Sequence, residues 1–224
     1  MLHQLHDNLW VAHIPHRFLG LHFGTRMTVI RLSSGELLIY SPVTLTDALK
    51  SAIDDLGPVG HILAPNRFHH LFVGPYAEAW PKAVLYGAPG LADKRKDLNF
   101  HRELDSNTTR AWGDEVDAVL LQGAPSLSEV VLFHRPSCTM IVCDLILNIV
   151  DSPSWWTRTY LKMFASYGKP GLSKIIKLTI RDKKAARISI DRMLDWDFDR
   201  LIMAHGEPLE KGGHHTFAEC YQWL

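Results

Sequence analysis

The sequence predicts an α/β fold, a sheet-rich core flanked by helices, and three observations carry that expectation. Short continuous apolar runs recur at residues 61–64, 130–133, 140–143 and 201–204, as buried strands require. Two β-prone runs, 27–32 and 37–40, flank the turn Ser33-Ser34-Gly35-Glu36, which is a hairpin signal. Helical stretches with start and stop residues lie between the strands, so sheet and helices must pack in layers around a shared core.

A strand opens the chain at residues 8–12, and the hairpin follows. Thr46-Asp47 offers a cap to a helix over 48–53, and Gly57-Pro58 stops it. The strand at 61–64 leads to a helix over 76–80, ended by Pro81, and then to a strand over 82–86. Strands over 118–121, 129–133 and 139–143 precede helices over 155–167 and 182–194. A strand over 199–204 and a short helix over 216–224 complete the pattern. Pro153 and Gly168-Lys169-Pro170-Gly171 read as loop punctuation, so residues 1–224 are expected to form one domain.

Composition narrows the function classes. With 46% apolar residues the chain can bury a substantial core without disulfides. Basic and acidic residues balance at 24 each, which gives no global attraction to nucleic acid. Cys138, Cys143 and Cys220 show no CxxC spacing and suit a reducing compartment. No signal-peptide pattern and no apolar run of membrane-spanning length is visible, so the expected location is the cytoplasm. Residues 154–164 fit a membrane-interface contact or a packed helix with snorkelling Arg158 and Lys162, and the packed helix is favoured. The oligomeric state is not encoded legibly.

A histidine or aspartate stands downstream of four of the apolar runs. His69-His70 follow Pro65-Asn66-Arg67-Phe68, His134 follows Phe133, Asp144 follows Cys143, and His205-Gly206 follow Ala204. Ligands of layered α/β proteins gather beyond strand ends, and imidazoles with a carboxylate are the donors a zinc or iron site uses. Each residue also has a structural reading. Asp144 needs a partner when buried, which a metal, an arginine or a helix N-terminus would supply. Arg135 or Arg67 is the arginine in question. His134 and Arg135 open a turn at Pro136, and Glu207 either orients His205 or is a loop charge. His101, His214 and His215 sit in polar surroundings and carry less weight. No P-loop, GxGxxG or GxSxG motif occurs.

The order of these motifs resembles the metallo-β-lactamase-like superfamily, whose fold is a four-layer αββα sandwich. Several segments more closely resemble the DUF4336 family: residues 26–32, Ser41-Pro42-Val43, residues 64–74, residues 133–137, residues 144–148 and Ala204-His205-Gly206. The superfamily's His-x-His-x-Asp-His pattern falls on residues 65–70. Pro65 and Arg67 stand at its first two histidines, His69 at its aspartate and His70 at its last histidine. Pro65 has no donor atom and Arg67 is a cation, so the site of the first metal is depleted. His134, Asp144 and His205 match the middle histidine, the bridging aspartate and the final histidine.

The resemblance implies a metal-dependent hydrolase with a mononuclear site and a small-molecule substrate. Asp144, His205 and one of His69 or His70 would hold one divalent ion (zinc, iron or manganese). His70 is the first choice as ligand. His69 and His134 are the catalytic candidates, and Arg67 would bind an anionic group of the substrate. The alternative is a non-catalytic descendant that binds a small anion or a partner protein, with an arginine filling the place of the ion. No nucleic-acid partner is expected.

Overall fold

The computed structural model describes residues 1–105, 108–164 and 167–224. The strands are β1 (Leu2–His6), β2 (Leu9–Ile14), β3 (Arg17–Phe18), β4 (Leu21–His22), β5 (Thr25–Arg31), β6 (Leu37–Tyr40), β7 (Val59–Ala64), β8 (Val84–Gly87), β9 (Arg102–Glu103), β10 (Val116–Leu120), β11 (Val130–His134), β12 (Thr139–Ile141) and β13 (Arg200–Ile202). The α-helices are α1 (Asp47–Asp54), α2 (Val73–Ala79), α3 (Leu91–Lys94), α4 (Trp155–Met163), α5 (Lys174–Thr179), α6 (Lys183–Leu194) and α7 (Gly213–Tyr221).

Among the described residues, seven strands form one sheet in the order β1-β2-β5-β6-β7-β8-β9. Four more form a second sheet, β10-β11-β12-β13, and β3 pairs with β4 as a separate hairpin. The layers follow from the alternation of side chains along each strand. On β5, Met27 and Val29 pack with Leu49, Ile53, Val73 and Tyr76 of α1 and α2. Ile30 faces the other way, into a cluster that also holds Val130 and Leu132 of β11. The opposite face of β11, Val131 and Phe133, packs with Ile176, Ile190, Met193 and Phe217 of α5, α6 and α7. The layer order is therefore helix, sheet, sheet, helix: the expected αββα sandwich. Each fully buried Leu, Ile, Val or Phe in these layers contributes about 1.5–3 kcal/mol.

Local signals account for several element limits. The Thr46 side chain accepts from the Leu49 N–H and starts α1, and Asp182 accepts from Lys184 and Ala185 at the start of α6. The helix expected over 155–167 begins at a Ser154 cap and ends at Met163. Residues 165–166 of that expectation lie outside the described residues. The edge strand β1, the β3–β4 hairpin and α5 were not anticipated. The two-residue strands β3 and β4 are too short to show a period, and β1 is polar and largely exposed.

Strand direction decides what meets at the site. β6, β7 and β8 run parallel in the first sheet, and β12 and β13 run parallel in the second. β11 is antiparallel to β12. The Val130 N–H donates to the Pro65 carbonyl at 2.8 Å, so the upstream end of β11 touches the downstream end of β7. Residues after β6, β7, β12 and β13 and residues before β11 consequently share one edge of the sandwich. Residues after β11 lie at the other.

Candidate metal centre

Asp144 follows β12 and is buried between two imidazoles. His69 Nε2 lies 3.5 Å from Asp144 Oδ2, and His205 Nε2 lies 3.4 Å from Oδ1. The two Nε2 atoms are 3.2 Å apart, and the donor atoms of the three residues all fall within 4.8 Å of one another. His205 Nδ1 sits 2.7 Å from the Gly24 carbonyl. That carbonyl can only accept, so Nδ1 carries a proton and Nε2 is the ring nitrogen that faces His69 and Asp144. His69 Nδ1 is 2.8 Å from the Ser41 hydroxyl. Two ring nitrogens and a carboxylate so close together call for a shared proton or a metal ion between them.

The loop after β7 is shaped by Asn66, which is fully buried. Its Oδ1 accepts the backbone N–H groups of Phe68 and His69 at 2.8 and 2.7 Å, forming a turn that aims His69 inward. Its Nδ2 donates to Glu129 Oε2 and Asp144 Oδ2 at 2.9 and 2.8 Å. Glu129, just before β11, also accepts the N–H groups of Cys143 and Asp144. One buried carboxylate thus fixes the backbone that presents another. Burial, with the nearby Asp144 charge, raises the Glu129 carboxyl to about 7. Burial also opposes the charge on Asp144, but His69 and His205 outweigh it and hold its carboxyl well below the usual range.

His205 depends on two backbone devices. Gly206 has φ +91°, and a Cβ there would run into the Asn148 carbonyl. The buried Arg26 guanidinium on β5 donates to the Met203 and Gly206 carbonyls at 2.8 and 2.5 Å, tying the end of β13 to the first sheet. Ser41 adopts φ +57°, a left-handed conformation held at the site edge.

The structure separates the other expected site residues from this group. His70, the first choice as ligand, is engaged by Arg95, whose NH1 lies 3.1 Å from His70 Nδ1 and donates to the His70 carbonyl at 2.7 Å. Burial and the neighbouring Lys94 and Arg95 lower its pKa to about 4. His69 takes the place in the group that His70 was expected to fill, because the Asn66 turn points the first of the pair inward. His134 lies at the far edge of the second sheet, where Nδ1 meets the Ser137 hydroxyl at 2.6 Å. The antiparallel course of β11 puts it there. Glu207 does not orient His205, whose Nδ1 goes to Gly24. Arg135 pairs with Asp117, not Asp144. Arg67 lines a neighbouring hollow of about 400 Å³ with Lys94 and Arg181. No arginine among the described residues bonds Asp144, whose partners are Asn66, His69, His205 and, through its N–H, Glu129.

The group lines a cavity of about 450 Å³. Its walls are mainly apolar and include Phe23, Phe68, Phe72, Leu147, Leu161 and Ile176. Asn66, Glu129 and Ser41 were missed by sequence reasoning. The only hint was that Asn66 precedes the His69-His70 pair inside a polar stretch after a strand.

The fold is that of the metallo-β-lactamases. The chain matches a metallo-β-lactamase from Pontibacter korlensis at 11% identity and TM-score 0.68, covering 100% of this chain and 99% of that one. A metallo-β-lactamase from Erythrobacter litoralis, solved with β-mercaptoethanol in its active site, matches at 11% identity and TM-score 0.67, covering 100% and 96%. The mono-zinc form of FIM-1 from Pseudomonas aeruginosa matches at 11% identity and TM-score 0.64, covering 100% and 95%. No curated protein sequence matches the chain. Within that fold, residues 6–166 match the model of the DUF4336 family, described as a domain of unknown function, and the chain belongs to that family. No helix among the described residues is long and apolar enough to cross a membrane.

Proposed function

We propose that this protein is a metal-dependent hydrolase with a mononuclear site, in which His69, Asp144 and His205 hold one divalent ion. The observation that carries the reading is the approach of two imidazole Nε2 atoms to 3.2 Å beside the Asp144 carboxylate. Two nitrogens and one carboxylate oxygen suit zinc, iron or manganese. A bound ion would polarise a carbonyl or phosphoryl oxygen and lower the pKa of a water molecule. His69 is then a ligand and not the base. Ser41 and the Gly24 carbonyl fix the two rings through their other nitrogens, as such ligands require.

The apolar cavity favours a small-molecule ester, thioester or amide with an apolar body. Phe68 and Lys94 line both this cavity and the Arg67 hollow. Arg67, Lys94 and Arg181 would therefore bind an anionic portion of the same substrate. Zinc-loaded protein assayed against p-nitrophenyl esters of increasing acyl length tests the reading. Turnover that rises with chain length and falls at least about 100-fold in His205→Ala is expected. Equal turnover in wild type and His205→Ala, or none by folded, metal-loaded wild type, would overturn the catalytic assignment and leave a ligand-binding protein.

A further inference from the structure

We propose that the face built by α4, α5 and the β3–β4 hairpin docks on a bilayer carrying anionic lipids, with the mouth of the cavity turned toward it. Between Asp151 and Asp182 the sequence carries Arg158, Lys162, Lys169, Lys174, Lys177 and Arg181 and no acidic residue. The chain as a whole is neutral, so this segment concentrates positive charge against a net acidic remainder. The same segment exposes large apolar side chains. Trp155 is 68% exposed and Trp156 51%, with Met163 and Leu178 also outward. Leu19, at the tip of the hairpin, is 84% exposed.

These pieces are joined through α4. The Lys174 N–H donates to the Phe164 carbonyl, and its Nζ to the Met163 carbonyl at 3.2 Å, which joins α5 to the end of α4. The His22 N–H donates to Thr157 Oγ1 at 3.0 Å, which joins the hairpin to α4. The inward faces of these elements supply Phe18, Tyr160, Leu161, Ile175 and Ile176 to the cavity wall. The elements that expose the tryptophans therefore also line the cavity. Lys162 and Lys177 lean over the Tyr167 and Trp223 rings, whereas Lys169 lies in the exposed loop between the helices.

A bilayer surface matches this combination. Indole rings settle at the headgroup level, aliphatic side chains reach the acyl boundary, and lysines meet a diffuse negative potential without needing fixed carboxylate partners. The proposal does not depend on the metal centre, so it stands or falls separately from the hydrolase reading.

Sedimentation of the intact protein with vesicles of phosphatidylcholine, or of phosphatidylcholine mixed with phosphatidylglycerol, provides the test. Partition onto the anionic vesicles is expected to be at least about tenfold stronger and to weaken with added salt. Trp155→Ser with Trp156→Ser should lower it about tenfold, and Lys169→Glu with Lys174→Glu should abolish the preference for anionic lipid. All four positions are exposed, so circular dichroism should show both variants folded. No partition, equal partition onto both vesicles, or full partition by the charge-reversed variant would overturn the proposal. Concentration-dependent dimerisation that is lost in the tryptophan variant, without vesicle binding, would make the face a self-association surface instead.

Discussion

Asn66 uses every hydrogen-bonding position of its amide, with two N–H groups shared between Glu129 and Asp144 and two backbone N–H groups on its oxygen. Replacement by Ala leaves two buried carboxylates short of a donor and releases the turn that aims His69. Urea unfolding of Asn66→Ala should show a loss of about 1–3 kcal/mol. Ser41→Gly is a gentler change, because glycine suits φ +57° while the hydroxyl on His69 is lost. Stability should change by less than about 1 kcal/mol, whereas zinc affinity measured by competition with a chelator should fall about 10–100-fold. Gly206→Ala allows no such relief, since its Cβ meets the Asn148 backbone. A loss above about 2 kcal/mol is expected in the same unfolding measurement. Asp144 and His205 were legible because each ends an apolar run. Asn66 was not, because its partners lie 63 and 78 residues away and nothing local marks them.

Strand direction explains which of the expected residues come together and which do not. Four residues at downstream strand ends form one site only if the four strands run the same way. β7, β12 and β13 satisfy that condition and β11 does not. His134 is therefore buried at the far edge, and Glu129, at the upstream end of the same strand, is the residue that reaches the group around Asp144. Period and composition show that a strand exists but not which way it runs, because direction is fixed by pairing with strands distant in sequence. Burial holds His134 and His70 at about 4, below the 6.5 of an unfolded chain. The unfolded state then binds more protons between about pH 4 and 6.5, and stability is lost as pH falls through that window. Glu129, raised to about 7 from 4.5, acts in the opposite sense, losing stability as pH rises through its own window. The informative quantity is therefore the difference between proteins. Urea unfolding of His134→Gln should depend less steeply on pH between 4 and 6.5 than that of wild type. Identical slopes would mean that His134 titrates normally in the fold.

At the scale of the molecule, the two sheets each deliver half of the centre. The first sheet contributes Ser41, Asn66 and His69, and the second contributes Glu129, Asp144 and His205, at one edge of their shared core. An ion held across the two halves would bind the folded state alone. Thermal unfolding with zinc at about 100 times its dissociation constant should reflect roughly 2.7 kcal/mol of added stability, removed by a chelator. A sheet-rich core flanked by helices was legible from the short continuous apolar runs, and the αββα order from the resemblance that the motifs carry. The arrangement of the cavity was not, because its walls come from helices and a hairpin brought together only by folding. The most direct measurement is the metal content of purified, zinc-incubated protein by elemental analysis, for wild type and for His69→Ala, Asp144→Ala, His205→Ala and His70→Ala. The mononuclear centre predicts about one equivalent in wild type and His70→Ala, and none in the other three while they remain folded. A folded wild type that stays metal-free, or one that keeps its metal in His69→Ala and loses it in His70→Ala, would contradict it.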